Sequence, residues 1–197
     1  MEENSPKYDY PDCVDKDNIY SNDNGVNRIV LKIPLKDKDK DKESIVVILK
    51  NPSKANISKS DKTINNVINY IVANKSKYTA LNNVGEIIIL NLIPIYATKP
   101  SALKPLGVTI IDCDNLKAID DITKKHNNVI VAWGNITLLT KEYNVLKYLT
   151  LCILKRNKNK LFSVGNLTKK GNPKHGQVWK MKDALIPRRI SPSFILF

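Results

Sequence analysis

Two runs of apolar, largely β-branched residues constrain this chain more than anything else in it. They are Ile45-Val46-Val47-Ile48-Leu49 and Ile87-Ile88-Ile89-Leu90-Asn91-Leu92-Ile93. A strand with one face in water alternates apolar and polar residues, whereas an unbroken run suits a strand covered on both faces. β-Branched side chains favour the pleated backbone over a helix. The first run ends in Lys50-Asn51-Pro52-Ser53, where Pro cannot extend a ladder. The second ends in Pro94-Ile95-Tyr96-Ala97-Thr98-Lys99-Pro100. Each run therefore hands the chain to polar residues at a strand's carboxyl end, the edge at which open α/β sheets bind ligands.

Helical spacing separates and follows these runs. Ile64, Val67, Ile68, Ile71 and Val72 share one face, and Ser60 or Asp61 can cap the first turn. The exposed amides of that turn face the Asn51 loop and suit an anion or a carbonyl group. Asp114 is the expected cap of a helix carrying Leu116, Ile119 and Ile122, which leads to a strand from Asn128 to Ala132 and then Trp133-Gly134-Asn135. Thr140 opens a helix with Val145, Leu146, Leu149, Cys152 and Ile153 on its apolar face. A strand from Leu161 to Val164 and a long loop to Gly176 follow.

Upstream, Ile29, Leu31 and Ile33 alternate with Arg28, Val30 and Lys32, the pattern of a half-buried strand. The sign-alternating run from Lys36 to Lys42 reads as a solvated tip, so residues 26 to 50 are expected to form a hairpin. Residues 1–24 read as an irregular N-terminal arm and residues 25–197 as a single α/β domain. The expected fold is three-layered, with a mainly parallel central sheet flanked by helices, right-handed crossovers and an N-terminal hairpin.

Composition narrows the function classes. No segment reaches the roughly 18 apolar residues of a membrane span, and the first residues lack the pattern of a signal peptide, so a cytoplasmic location is expected. Three cysteines without a Cys-X-X-Cys pair, and two histidines, argue against a disulfide framework and a zinc site. The thiols read as reduced and mostly structural. The acid pairs Asp112/Asp114 and Asp120/Asp121 read as solvated rather than as magnesium ligands. No metal or cofactor is expected. The net charge of +13 is concentrated in residues 151–197, where 11 Lys and Arg face one acidic residue. Such a concentration attracts phosphate, so a nucleic acid or nucleotide is the expected partner. A coding bias toward Lys, Asn and Ile produces the same surplus without a partner.

Four strand-end segments collect the candidate site residues: Asn51-Pro52-Ser53, Asn91 to Thr98, Trp133-Gly134-Asn135 and Lys170 to His175. Asn91 interrupts an apolar run, and a buried amide must either tie a neighbouring loop or face a ligand; the tie is the favoured reading. Asn51-Pro52 is also an ordinary turn pair, Trp133 an ordinary core residue and His175 an ordinary loop histidine. A hydrolytic Ser53, His175 and Asp61 set lacks the Gly-X-Ser-X-Gly elbow.

The order of these segments resembles the family called domain of unknown function 1643, found in microbes and phages. The resemblance rests on Asn51-Pro52-Ser53 with Asp61-Lys62-Thr63, on Asn91-Leu92 with Ala97-Thr98-Lys99-Pro100, on Ala132-Trp133-Gly134, and on the loop from Thr168 to His175. More distantly the chain resembles uracil-DNA glycosylases, with Leu49 and Ser53 standing where the mismatch-specific branch has Gly. That resemblance implies a glycosylase-like fold and recognition of a nucleobase or nucleotide, with hydrolysis of an N-glycosidic bond. Asn51 would orient the attacking water and His175 would donate to a base oxygen. Asn91 would read an amide edge, and Tyr96 or Trp133 would form an aromatic wall. Pro52, Ser53, Asp61, Thr63, Thr98, Gly134 and Lys170 would complete the substrate site. The alternative is a non-catalytic nucleotide- or nucleic-acid-binding module serving in phage–host conflict.

Overall fold

The computed structural model describes residues 8–36, 42–97, 110–136 and 140–190. Residues 37–41, most of the sign-alternating run, lie outside the described residues, as does Thr98. In chain order the elements are β1 (Tyr20–Asp23), β2 (Arg28–Pro34), β3 (Glu43–Leu49), α1 (Lys62–Ala73) and β4 (Val84–Asn91). They continue as α2 (Cys113–Thr123), β5 (Asn128–Val131), α3 (Thr140–Arg156), β6 (Lys160–Val164) and β7 (Leu185–Arg188).

These strands form one mixed sheet in the order β1-β2-β4-β3-β5-β6-β7. The centre, β4-β3-β5-β6, is parallel; β1, β2 and β7 attach through antiparallel pairings, so the sheet is mostly but not wholly parallel. The two apolar runs are neighbours, with Ile45 opposite Ile87, Val47 opposite Ile89 and Leu49 opposite Asn91. Their continuity has the expected cause. Ile45, Val47 and Leu49 join a core with Ile64, Val67, Ile68 and Ile71 of α1. Val46 and Ile48 join a second core with Ile119 of α2 and Leu146, Leu151 and Leu154 of α3. Each such buried side chain contributes about 1.5–3 kcal/mol of burial free energy, and neither face of β3 is left for water from Ile45 to Leu49.

The expected hairpin over residues 26–50 does not form. β4 lies between β2 and β3, pairing antiparallel with one and parallel with the other. A central strand apolar along its length gains most by bonding on both edges, and β4 takes that place at the expense of the local pairing. The N-terminal hairpin is instead β1 with β2. β1 falls in the stretch read as irregular because its Ser-Asn-Asp sequence has poor strand propensity. β7 carries Pro187 and sits at the sheet's other edge, where a missing N–H is tolerated.

Helix α1 matches its sequence pattern. Asp61 is the cap, its side chain accepting from Ile64 N at 2.8 Å, worth about 1 kcal/mol. The other two helices differ in detail. Asp112, not Asp114, caps α2 by accepting from Asn115 N at 2.8 Å. On α3 the buried positions are Tyr143, Leu146, Lys147, Thr150, Leu151 and Leu154, while Val145 and Cys152 are exposed. The face is turned because Tyr143 packs inward and donates its hydroxyl to Gly134 O at 2.8 Å. Cys113 is exposed as well, so two of the three thiols are not core residues. No helix among the described residues is long and apolar enough to cross a membrane.

Candidate functional site

Parallel strands bring the ends of β4, β3, β5 and β6 to one edge of the sheet. There, a cleft of about 330 Å³ is lined by Asn51, Ser53, Asp61, Thr63 and His175 among the residues singled out from the sequence. Arg28, Lys50 and Gln177 also line it.

Asn51 is held before any ligand arrives. Its side-chain Nδ2 donates to Pro52 O at 2.9 Å and to Ala97 O at 2.6 Å, tying the loop after β3 to the segment after β4. Using one nitrogen for both bonds sets the orientation of the amide and leaves Oδ1 as an acceptor. Pro52 is buried, and its carbonyl also receives Ala97 N at 3.1 Å, so its role is in the loop's geometry.

Asp61 is committed to backbone. Besides Ile64 N it accepts from Ala55 N at 3.4 Å, and no hydrogen bond among the described residues links Ser53, His175 and Asp61. A serine-hydrolase relay is therefore not assembled. Thr63 sits in the first turn of α1 beside the cap.

His175 reaches the cleft on a single 3-10 turn, Gly176–Val178. Asn66 of α1 donates to Gly176 O at 2.6 Å and Trp179 O at 3.1 Å. The Trp179 ring meets Tyr70 edge to face at 5.3 Å. Gly176 lies so close to α1 that a Cβ there would come within 2.8 Å of Val67 Cγ2. Burial first, and the Lys50 charge second, push the His175 imidazole down to about 4. It is neutral at pH 7. Its Nδ1 accepts from Gln177 N at 3.3 Å, so the ring proton is on Nε2, a neutral donor.

Lys50 donates to Asn135 O at 2.5 Å, and desolvation lowers its ammonium below the ordinary value. Asn135 Oδ1 accepts from Thr168 Oγ1 at 2.8 Å and from Asn172 Nδ2 at 3.0 Å. The loop before His175 is thereby fastened to the segment after β5. Gly134, at φ +68°, lies directly behind His175.

Several residues expected at the site lie elsewhere. Trp133 is 1% exposed and packs in the core with α2 and α3, so it is no cleft wall. Asn91 is wholly buried and its side-chain amide has no partner; the anticipated tie comes instead from Asn115, whose Nδ2 donates to Asn91 O at 2.9 Å and Leu92 O at 3.2 Å. Lys170 is exposed at a separate cavity beside Tyr143 and Lys147. Tyr96 donates its hydroxyl to Asp23 at 2.6 Å, and its ring lies 5.8 Å from the Arg28 guanidinium carbon. Burial, with that hydrogen bond second, pushes the Tyr96 phenol up to about 12.

Arg28 is the residue that the alternating pattern misassigned. It was placed on the polar face of a half-buried strand, yet it is 1% exposed. Because β2 runs antiparallel to β4, the start of β2 lies at the edge where the parallel strands end. Its Nη1 donates to Ala55 O at 2.5 Å, and burial lowers its guanidinium from the ordinary value. The sequence signal was a lone Arg opening a strand, which by itself points equally to solvent.

No curated protein and no solved structure matches the chain. Residues 28–176 match the family described as protein of unknown function (DUF1643). The match begins at Arg28, ends one residue beyond His175 and spans well over half of the sequence; the chain belongs to the DUF1643 family.

Proposed function

We propose that this protein recognises a nucleobase or nucleotide in the cleft at the end of β3 and hydrolyses its N-glycosidic bond, in the manner of the uracil-DNA glycosylases it distantly resembles. The observation that carries the reading is the pair of pre-set polar groups lining one cleft: the Asn51 amide, oriented by two bonds through Nδ2, and the neutral His175 with its proton on Nε2.

In this reaction the bond from the sugar carbon to the base nitrogen breaks, and its electron pair leaves with the base. Charge develops on the base oxygens, where a neutral imidazole N–H stabilises it without first surrendering its proton. A water hydrogen-bonded to Asn51 Oδ1 adds to the sugar carbon, and the proton it sheds ends on the departed base. A base must leave the duplex stack to reach such a cleft. The lysines at 169, 170, 174, 180 and 182 flank His175 in sequence and supply attraction for a nucleic-acid backbone.

Release of free base from DNA carrying uracil, mismatched thymine or a modified pyrimidine, or from the corresponding nucleotides, is the test. Release that disappears in His175→Gln supports the reading. No release from any of these by folded protein removes the catalytic part of it.

One observation favours the second reading, a non-catalytic binding module. Asn51 spends its amide nitrogen on joining two loops, which is a sufficient structural reason for its presence. In that case Asn51→Ala weakens binding through loop displacement, and there is no turnover to lose.

A further inference from the structure

Arg28 presents an imbalance that the fold does not resolve. Its side chain is almost completely buried, and Nε has no hydrogen-bond partner. No carboxylate among the described residues lies within ion-pair distance of it. Asp61 shares the cleft, but its two oxygens accept from Ile64 N and Ala55 N. Asp23 is engaged by the Tyr96 hydroxyl. A guanidinium does not give up its proton in a protein; Asp61, Asp23 and the Tyr96 hydroxyl offset part of the desolvation of Arg28, and no direct ion pair among the described residues offsets the rest. Holding Ala55 O and lying against the Tyr96 ring use one Nη and the guanidinium face. Neither uses the Nε edge, nor neutralises the charge.

The surroundings define the missing group. Arg28 lines the cleft together with Lys50, Ser53 and Thr63, and Thr63 stands in the first turn of the twelve-residue helix α1. Two cationic groups and two hydroxyls offer more donors than the two oxygens of a carboxylate accept, while the start of α1 is already capped by Asp61. They suit the three outer oxygens of a phosphate. We infer that the cleft binds a phosphate group of its ligand through Arg28, with Lys50, Ser53 and Thr63 completing the anion site. The assignment rests on the nucleotide reading above only for what the phosphate is attached to. The phosphate of a free mononucleotide and the backbone phosphate of an extruded nucleotide share this chemistry.

Calorimetric titrations at constant ionic strength with uridine, uridine 5′-monophosphate, inorganic phosphate and a uracil-containing oligonucleotide lacking terminal phosphates test it. The phosphorylated probes bind at least about 10-fold tighter than uridine, as expected for a charge-assisted contact in a desolvated site. Inorganic phosphate competes with them. Arg28→Lys, which keeps the charge but not the fork, removes this preference. A preference for the mononucleotide identifies a free nucleotide as the source, and a preference for the oligonucleotide identifies the backbone. Should Arg28→Lys fail to fold, the melting temperature of the unaltered protein in millimolar phosphate against chloride at equal ionic strength decides, with a saturable rise expected. Equal binding of uridine and both phosphorylated probes, with no rise, overturns the anion site even if base is released. Absence of base release alongside a persisting phosphate preference overturns only the hydrolytic reading.

Discussion

Gly134 and His175 meet back to back: a Cβ built on Gly134 would lie 2.9 Å from His175 Cβ and 3.4 Å from His175 N. The end of β5 is thus the surface against which the His175 turn rests, and the absence of a side chain at 134 lets the two segments approach. Gly134 also has φ +68°, a conformation that other residues adopt at a cost. Gly134→Ala is expected to destabilise the protein by about 1–3 kcal/mol, combining backbone strain with the contact. Denaturant unfolding measures the loss, and displacement of the His175 ring resonances reports the shift at the cleft.

The neutrality of His175 makes a pH prediction. Its folded value is about 4 against an ordinary 6.5, so between these pH values the unfolded chain binds more protons than the folded one. The stability associated with the neutral ring is complete above about pH 6.5 and is lost as the pH falls toward 4. His175→Gln flattens this part of the stability profile, measured by unfolding at pH 4.5 and 7.5. Lys50→Gln moves the His175 titration upward in an NMR experiment, because it removes the nearby positive charge.

Asn51 permits a graded comparison. Asn51→Ala loses the bonds to Pro52 O and Ala97 O; Pro52 O keeps Ala97 N, while the Ala97 carbonyl is left to find water in a half-buried loop, at a cost of about 1–3 kcal/mol. Asn51→Asp is expected to be worse, since it sets carboxylate oxygen against carbonyl oxygen. Thermal unfolding of the two variants at neutral pH should rank them in that order. Turnover lost with binding retained in Asn51→Ala would favour the enzyme over the module.

Asn91 carries a cost inside the core. Both ends of its buried amide lack partners, and Leu49, Ile89 and Leu90 are its apolar neighbours in the sheet. Asn91→Leu, similar in shape, is expected to raise stability by about 1–3 kcal/mol by removing two unsatisfied groups. A loss of stability in urea unfolding would show that the amide is bonded to an ordered water in solution.

The candidate site was partly legible for a definite reason. Parallel strands share a carboxyl edge, so the polar segments that follow apolar runs had to approach one another; Asn51, Ser53 and the loop carrying His175 do so, and the start of α1 brings Thr63 beside them. Trp133 and Asn91 close the same runs but are turned into the interior. Sequence position alone does not reveal which way a strand-end side chain turns. Arg28 was missed because its strand enters from the opposite direction.

By itself the sequence determined the local elements: the doubly covered strands β3 and β4, the amphipathic helix α1, a cap at Ser60 or Asp61 and the polar turns that end the strands. These depend on side-chain shape, spacing and hydrogen bonding within a few residues. Only the tertiary structure decided that β4 lies between β2 and β3, that α3 turns Tyr143 and Lys147 inward, and that Arg28 is enclosed beside the cleft. Those outcomes follow from competition among distant segments for the same hydrogen-bonding edges and apolar surface. The energy of that competition belongs to pairs of elements, so no single stretch of sequence carries it.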